Sequence, residues 1–164
     1  MNLRRIVRHL LVLPGAVSRA FPASVMQAIE HAIGKSESEH SGGLRFAVEP
    51  ALDTSALLAG ESARERAIEV FSLLRLWDTD ARNGVLIYLL LADRDIEIVA
   101  DRGLNVVEAA EWEAICKVME QALRRGQFQH ALVDGVQAVS RIVARHFPRR
   151  DADRDELPDR PVAL

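Results

Sequence analysis

One stretch of the chain restricts its fold more than any other. Residues 85–91 read VLIYLLL, seven consecutive apolar residues rich in branched side chains, and Asn83-Gly84 directly precede them. The run does not alternate between apolar and polar positions, so we predict a short central strand that is buried on both faces. Such a strand needs a covering layer on each side, which favours a sheet between two layers of helices.

The flanking segments predict the remaining elements. LRFAV at 44–48 alternates as a half-buried strand does, and Ile96 and Ile98 alternate with acidic residues in a strand that returns after the polar turn 92–95. Apolar residues at helical spacing predict helices over 22–34, 62–74, 105–123 and 132–147. The second and third of these begin with capping-box spacing, at Ser62/Glu65 and Asn105/Glu108.

This order predicts an α/β fold. A strand-helix-strand unit makes the first two strands parallel neighbours, and the hairpin adds a third strand antiparallel. We therefore predict a three-layer α/β/α sandwich with a small mixed sheet of three to four strands. Residues 22–148 form this domain, residues 1–21 a basic amphipathic N-terminal segment, and residues 149–164 a charged, proline-containing tail that we expect to be disordered.

The N-terminal segment is basic, because no acidic residue precedes Glu30. Its basic residues are Arg4, Arg5, Arg8 and Arg19. In a helix, Leu3, Ile6, Val7 and Leu10 would form one apolar face. This pattern fits two alternatives: weak binding of residues 1–20 to an anionic membrane surface, or docking on the body of the domain. Pro14 interrupts the apolar run and AVSRA is a poor cleavage site, so we expect a cytoplasmic protein, peripheral to the inner membrane face, rather than an exported one.

Composition and motifs exclude several classes of function. The net charge is −3, which predicts no nucleic-acid partner. The single cysteine, Cys116, cannot form an intramolecular disulfide, and we expect it in a helix core. Gly-rich phosphate loops, dinucleotide fingerprints and G-x-S-x-G elbows are missing from the sequence, so we predict no organic cofactor. Trp77 and Trp112 are expected to be core or hinge aromatics.

A candidate site lies in DTDARNG, residues 78–84, directly before the central strand. The antiparallel hairpin should return Asp101-Arg102-Gly103 to this segment, and the start of the first strand, residues 40–43, should lie at the same end. The predicted ligands of a divalent cation, Ca²⁺ or Mg²⁺, are the oxygen-bearing side chains of Asp78, Asp80, Asn83 and Asp101. Arg82 and Arg102 are oxyanion partners in this prediction, and the free N–H groups of the helix after Asn105 could receive an anion.

Simpler explanations exist for the same residues. Asp and Asn before a strand often only satisfy backbone groups in a turn, and exposed Asp–Arg pairs contribute under about 1 kcal/mol. The segment is not an EF-hand loop either, because its twelfth position is Leu89 instead of a bidentate glutamate.

Several segments resemble those of the TPM domain family, which includes a thylakoid-lumen protein, a photosystem II repair factor and a nematode receptor modulator. They are VFSLLRLWDTD, RNGVLIYLLLADRDIEIVADRGL, EWEAICKVMEQALRRGQF and HFP, within residues 25–148. The resemblance implies an α/β/α sandwich, acid phosphatase activity as described for plant relatives, and calcium binding at acidic loops. Carried over by position, it points to Asp80, Asn83 and Asp101, and less directly to Asp78.

Two functions follow as hypotheses. In the first, the protein is a metal-assisted phosphatase-type hydrolase of phosphomonoesters, with Asp101, Asp80, Arg102 and Arg82 as catalytic residues. In the second, it is a non-enzymatic module, calcium-binding or metal-free, that binds an unidentified protein or acts as a membrane-associated regulator.

Overall fold

The computed structural model describes residues 3–149 and 157–164. The helices are α1 (Leu3–Leu10), α2 (Ala16–Ala20), α3 (Ala23–Glu37), α4 (Thr54–Ala59), α5 (Ala63–Leu73), α6 (Ala109–Arg124) and α7 (Phe128–His146). The strands are β1 (Leu44–Glu49), β2 (Val85–Leu90), β3 (Asp95–Ala100) and β4 (Val162–Ala163), and a 3₁₀ turn spans Arg102–Leu104.

The described strands form one mixed sheet in the order β3-β2-β1-β4. β1 and β2 are parallel, with Leu44 opposite Val85, and β2 and β3 are antiparallel, with Val85 opposite Ala100. The prediction of parallel neighbours and an antiparallel hairpin is confirmed. The register places the start of β1, the start of β2 and the end of β3 at one end of the sheet.

Helices cover both faces of the sheet, as predicted. Alternate residues of β2 point to opposite sides, so Ile87 packs with α3, α6 and α7, whereas Tyr88 packs with α4 and α5. All six residues of β2 are buried. This is the α/β/α sandwich expected from the unbroken apolar run, since a strand with two apolar faces is stable only when both are covered.

The predicted capping box is present at the start of α5 but not at the start of α6. The Ser62 side chain accepts from the Glu65 N–H and Glu65 accepts in return from the Ser62 N–H, which confirms the predicted capping box at the start of α5. The second predicted capping box is wrong. Residues 102–104 form a 3₁₀ turn, and α6 begins only after Glu108, whose side chain makes no capping hydrogen bond.

The prediction of a disordered tail is wrong for residues 157–164. Leu157 is buried, and β4 pairs parallel to β1, with Ala47 opposite Val162. A Cβ atom at Gly43 would lie 2.4 Å from Leu157 Cδ1, so this glycine makes room for the leucine side chain. The rest of the tail, residues 150–156, lies outside the described residues.

The N-terminal segment docks on the domain in the described structure. The partly buried Ile6 of α1 packs against the core beneath α4 and α5. Within the described residues, no helix is long and apolar enough to cross a membrane.

Candidate functional site

Two loops meet at the predicted end of the sheet. The Asp101 N–H donates to the Gly84 carbonyl at 2.9 Å, and the Gly103 N–H donates to the Arg82 carbonyl at 2.8 Å. A Cβ atom at Gly103 would lie 2.6 Å from the carbonyl oxygens of Ala81 and Arg82, so a larger residue would push the loops apart. The hairpin therefore brings the two loops together as the sequence predicted.

Asn83 connects the two loops to the segment just before β1 through hydrogen bonds. Its backbone N–H donates to Thr79 Oγ1 at 3.1 Å, and its side-chain amide donates to the Ser41 carbonyl at 3.2 Å. Asn83 is almost completely buried. Residues 40–43 thus lie at the predicted end of the sheet, and Asn83 uses its side chain to hold the loops in place.

The two loops line an open cleft of about 620 Å³. All the predicted site residues except Asn83 line it. The complete lining is Phe71, Ser72, Trp77, Asp78, Thr79, Asp80, Arg82, Asp101 and Arg102. The cleft therefore combines carboxylates, guanidinium groups, hydroxyls and two aromatic rings.

The two carboxylate oxygens of Asp101 differ in their surroundings. Its Oδ1 accepts from the Arg102 N–H at 2.7 Å, which caps the 3₁₀ turn. Its Oδ2 is buried and has no hydrogen-bond partner among the described residues, and the residue is only 9 % exposed. Leaving a buried acceptor unsatisfied costs about 1–3 kcal/mol, and more when the group is charged. Asp101 Oδ2 is thus the acceptor in this cleft best suited to a cation or a donor group.

The other two carboxylates of the cleft are exposed. Asp78 accepts from Arg75 at 2.6 Å, and both side chains of this pair are more than half exposed. An exposed pair of this kind adds under about 1 kcal/mol to stability. Asp80 lines the cleft with its side chain accessible to solvent, so it can reach a bound group without a large desolvation penalty.

The arginines of the cleft are both exposed. Arg82 has a φ of 51°, in the left-handed region that favours glycine. Residues held in such conformations often occur where the surrounding structure fixes them at a functional site. The conformation is fixed here in part by the Arg82 carbonyl, which accepts from Gly103.

The N-terminus of a helix does not contribute to the cleft in the way we predicted. The N–H groups of Leu104 and Asn105 donate to the carbonyls of Asp101 and Arg102 inside the 3₁₀ turn. They are therefore already satisfied, and the first turn of α6 lies further along the chain. The predicted anion site after Asn105 is wrong for this reason.

Trp77 lines the cleft and is exposed, so it does not have the core position that was one of the two expected for it. It continues the apolar stripe of α5, but that helix ends at Leu73, and Arg75 has a φ of 56° that redirects the chain. Leu76 is buried as a result, and Trp77 is 51 % exposed, with the Arg75 guanidinium 5.7 Å from its ring centroid. The stripe alone contained no signal of this change in direction.

The described residues contain no group of three or more His, Cys, Asp or Glu side chains placed to hold a metal ion together. Any cation in the cleft would therefore draw on few protein carboxylates, with Asp101 Oδ2 as the buried one.

Comparisons with known proteins agree with this fold. The family model described as TPM domain matches residues 18–142. The structure is similar to the NMR structure of the BA42 protein from the psychrophilic bacterium Bizionia argentinensis, with 30 % identity, a TM-score of 0.77, and coverage of 88 % of this chain and 95 % of that chain. It also resembles the N-terminal domain of a P. gingivalis protein, with 14 % identity, a TM-score of 0.58, and coverage of 78 % and 81 %, a likeness that shows the fold alone. Among curated proteins, none matches the chain.

Proposed function

The chain belongs to the TPM domain family, and on that premise we propose that it is a metal-assisted hydrolase of phosphomonoesters that acts in the cleft between the two loops. The observation that carries this proposal is the buried Oδ2 of Asp101, which has no hydrogen-bond partner in the part of the chain that the structure describes and shares the cleft with two exposed arginines. A carboxylate next to guanidinium groups can bind a cation and an anion side by side, which is the arrangement that a metal-bound phosphate requires.

The donor set fits a magnesium-type site better than a calcium cage. Ca²⁺ takes six to eight oxygen ligands, whereas Mg²⁺ is usually held by one or two carboxylates together with waters and substrate phosphate oxygens. Asp101 and the exposed Asp80 are the two carboxylates that we assign to this role, and Asp78 is a third candidate that already pairs with Arg75. When bound, the cation would polarise the phosphoryl group and lower the pKa of a bound water.

We assign phosphate binding and substrate positioning to side chains of the cleft and its supporting residues. Arg82 and Arg102 line the cleft, and in this proposal their planar guanidinium groups bind phosphate oxygens and offset the charge that develops during hydrolysis. Asn83 and Gly103 act as positioning residues, because the contacts with Ser41 and Arg82 hold the two loops in register. Trp77 provides an apolar wall for the organic part of the ester.

Cation binding is tested by thermal denaturation of protein stripped with chelator, with and without Mg²⁺ or Ca²⁺. An ion at about 100 times its dissociation constant should add about 2.7 kcal/mol to the free energy of unfolding. Asp101→Asn should lose this increment. A wild-type protein that gains no stability from either ion would contradict the metal site.

Catalysis needs a separate assay, hydrolysis of p-nitrophenyl phosphate by purified protein in the presence of Mg²⁺. We expect Asp101→Asn to be at least about 100-fold slower than wild type. Asp134→Asn is the matched control, since Asp134 is an exposed carboxylate on α7, outside the cleft, and should leave the rate unchanged. Equal rates for wild type and Asp101→Asn would mean that the activity arises elsewhere.

A second candidate is a non-enzymatic module that binds a protein through the same cleft. Exposed Trp77 with Arg75 over its ring favours it, because tryptophan and arginine dominate the energetics of protein interfaces. A protein that gains stability from Mg²⁺ or Ca²⁺ but hydrolyses no phosphomonoester would favour this candidate over the hydrolase.

A further inference from the structure

The N-terminal helix α1 docks on the domain through its polar side. Arg5 Nε donates to Asp93 Oδ2 at 2.8 Å, and Arg5 Nη1 donates to the Glu61 carbonyl at 2.7 Å. Arg8 forms a second ion pair with Asp93, through Oδ1. Two successive arginines of one helix thus converge on a single carboxylate in the turn between β2 and β3.

His9 strengthens this docking. It is almost completely buried, its Nδ1 accepts from the Leu52 N–H at 3.0 Å, and its Nε2 lies 3.1 Å from Asp93 Oδ1. Burial by itself would raise the pKa of Asp93, but the nearby Arg5 and His9 side chains more than compensate, so the pKa is lowered and the carboxylate stays charged. Charged and polar contacts, together with the inward-facing Ile6, therefore orient α1 on the domain.

The apolar stripe of α1 consequently faces solvent. The stripe was predicted to include Ile6, but that residue turns inward, whereas the other apolar residues turn outward. Leu11 continues the helical spacing, because its N–H donates to the Val7 carbonyl at 3.0 Å. We define the outer stripe as Leu3, Val7, Leu10 and Leu11, which have exposures of 67 %, 46 %, 63 % and 71 %. An amphipathic helix on a globular domain normally buries such a stripe.

Positive charge accompanies the outer stripe. Arg4 and Arg19 are exposed, and no acidic residue occurs before Glu30. Asp93 offsets only part of the charge of Arg5 and Arg8, so the segment keeps an excess of positive charge. An apolar stripe flanked by arginines is the pattern of helices that lie in the interface of an anionic bilayer.

We propose that α1 is a membrane-docking helix that inserts the outer stripe into the surface of an anionic lipid bilayer while Asp93 holds its polar side against the domain. A second copy of this chain is the less suitable occupant, because pairing of the same face on two copies would bring the arginines of both together. The preformed orientation helps binding, since the helix already presents its apolar side and does not have to fold or turn at the surface.

Co-sedimentation of the full-length protein with lipid vesicles tests this proposal. We expect binding to vesicles of phosphatidylcholine mixed with phosphatidylglycerol, and binding at least about tenfold weaker for the double variant Leu10→Ser/Leu11→Ser. Arg4→Gln should weaken binding about fivefold, the effect of one arginine near an anionic surface. All these residues are exposed, so the substitutions should leave the fold intact.

Val118→Ser is the matched control. Val118 is 64 % exposed, close to Leu10, but it lies on α6, which covers the other face of the sheet. This variant should bind vesicles as the wild type does. The proposal is overturned if the wild type ignores anionic vesicles at low salt, if it binds phosphatidylcholine alone equally well, or if Leu10→Ser/Leu11→Ser binds undiminished. It is also overturned if sedimentation equilibrium shows a dimer that this double variant abolishes.

Discussion

Two aspartates at opposite ends of β3 show how differently the same side chain can be used. Asp93 lies in the turn before the strand and Asp101 directly after it. The Asp93 side chain and the Asp101 residue are each 9 % exposed. Both Asp93 oxygens are close to cationic or polar groups of α1, whereas Asp101 Oδ2 has no partner among the described residues. Two carboxyl groups that are both largely shielded from solvent therefore have opposite electrostatic surroundings.

The state of these oxygens indicates where a ligand can bind. A buried carboxylate whose oxygens are already paired contributes to the structure and has little left to offer a ligand. A buried carboxylate with a free acceptor retains a binding free energy that a cation or donor can use. On this ground we expect Asp93 to stabilise the fold, and we propose Asp101 as the aspartate that binds a ligand.

Replacing each of these two aspartates with asparagine should change the free energy of unfolding by very different amounts. Asp93→Asn removes the charge that faces Arg5, Arg8 and His9, and should lower the free energy of unfolding by about 2–3 kcal/mol, since breaking such a pair leaves cations without compensation. Asp101→Asn, measured without divalent cation, should change it by less than about 0.5 kcal/mol or increase it, because Asn keeps the oxygen that caps the 3₁₀ turn. Urea denaturation of both variants at pH 7 provides the measurement. Equal losses of unfolding free energy in the two variants would contradict the distinction between the two aspartates.

Asp95 offers an intermediate case, a partly buried carboxylate among other acids. Burial, followed by repulsion from Glu97, Glu120 and Asp93, raises its pKa to about 6. The folded protein therefore binds this proton more tightly than the unfolded chain, so the contribution is fully present below pH 4 and is lost as the pH rises through 6. Asp95→Asn should match wild-type stability at pH 4 and exceed it by about 1–2 kcal/mol at pH 7.5. Urea denaturation at both pH values is the measurement, and a difference independent of pH would contradict the assignment.

A smaller effect compares the arginine that accompanies each aspartate. Arg82 and Arg94 both have left-handed backbones, with φ values of 51° and 52°. Replacing either with glycine should raise stability by about 0.5–1 kcal/mol, because glycine adopts this conformation without strain. Only Arg82→Gly should slow phosphomonoester hydrolysis, since Arg82 lines the cleft and Arg94 lies in the turn beside Asp93. A loss of activity in Arg94→Gly would show that the two ends of β3 are coupled.

The smallest expected effect concerns Asp78. Its pair with Arg75 is exposed, so Asp78→Asn should change the free energy of unfolding by less than about 0.5 kcal/mol. If Arg75 already occupies this carboxylate, the Mg²⁺ affinity measured by calorimetry should fall less than about threefold. A tenfold loss of Mg²⁺ affinity would indicate that Asp78 is a ligand of the cation, as we propose for Asp101.

Much of the fold and the location of the cleft could be predicted because they depend on short-range patterns. The apolar run at 85–91 and the two-residue alternation at Ile96 and Ile98 predict the hairpin, and the hairpin alone brings Asp101 to Asp80 and Arg82. The roles of Asn83 and Trp77 could not be predicted. The exposure of Trp77 depends on the left-handed Arg75, which turns the chain after α5. The role of Asn83 depends on its hydrogen bond to the Ser41 carbonyl, just before the neighbouring strand β1.

The two ends of the chain show a second limit of sequence patterns. Periodicity identified the apolar side of α1. It did not indicate that Asp93, far along the sequence, would bind the polar side, so that the apolar side faces solvent. Charged composition suggested a disordered tail, but Leu157 packs beside Gly43 and β4 pairs with β1, and these contacts hold residues 157–164 on the domain. In both cases the decisive contact is between residues distant in sequence.

The pairing of β4 with β1 has a consequence for solubility. β1 is an inner strand only because Val162 and Ala163 lie along its outer side. Deleting residues 157–164 would remove the partners of Ala47 and Val48 and leave the outer side of β1 as a free edge on which further chains can add. Residues 157–164 therefore protect the sheet from association through strand addition.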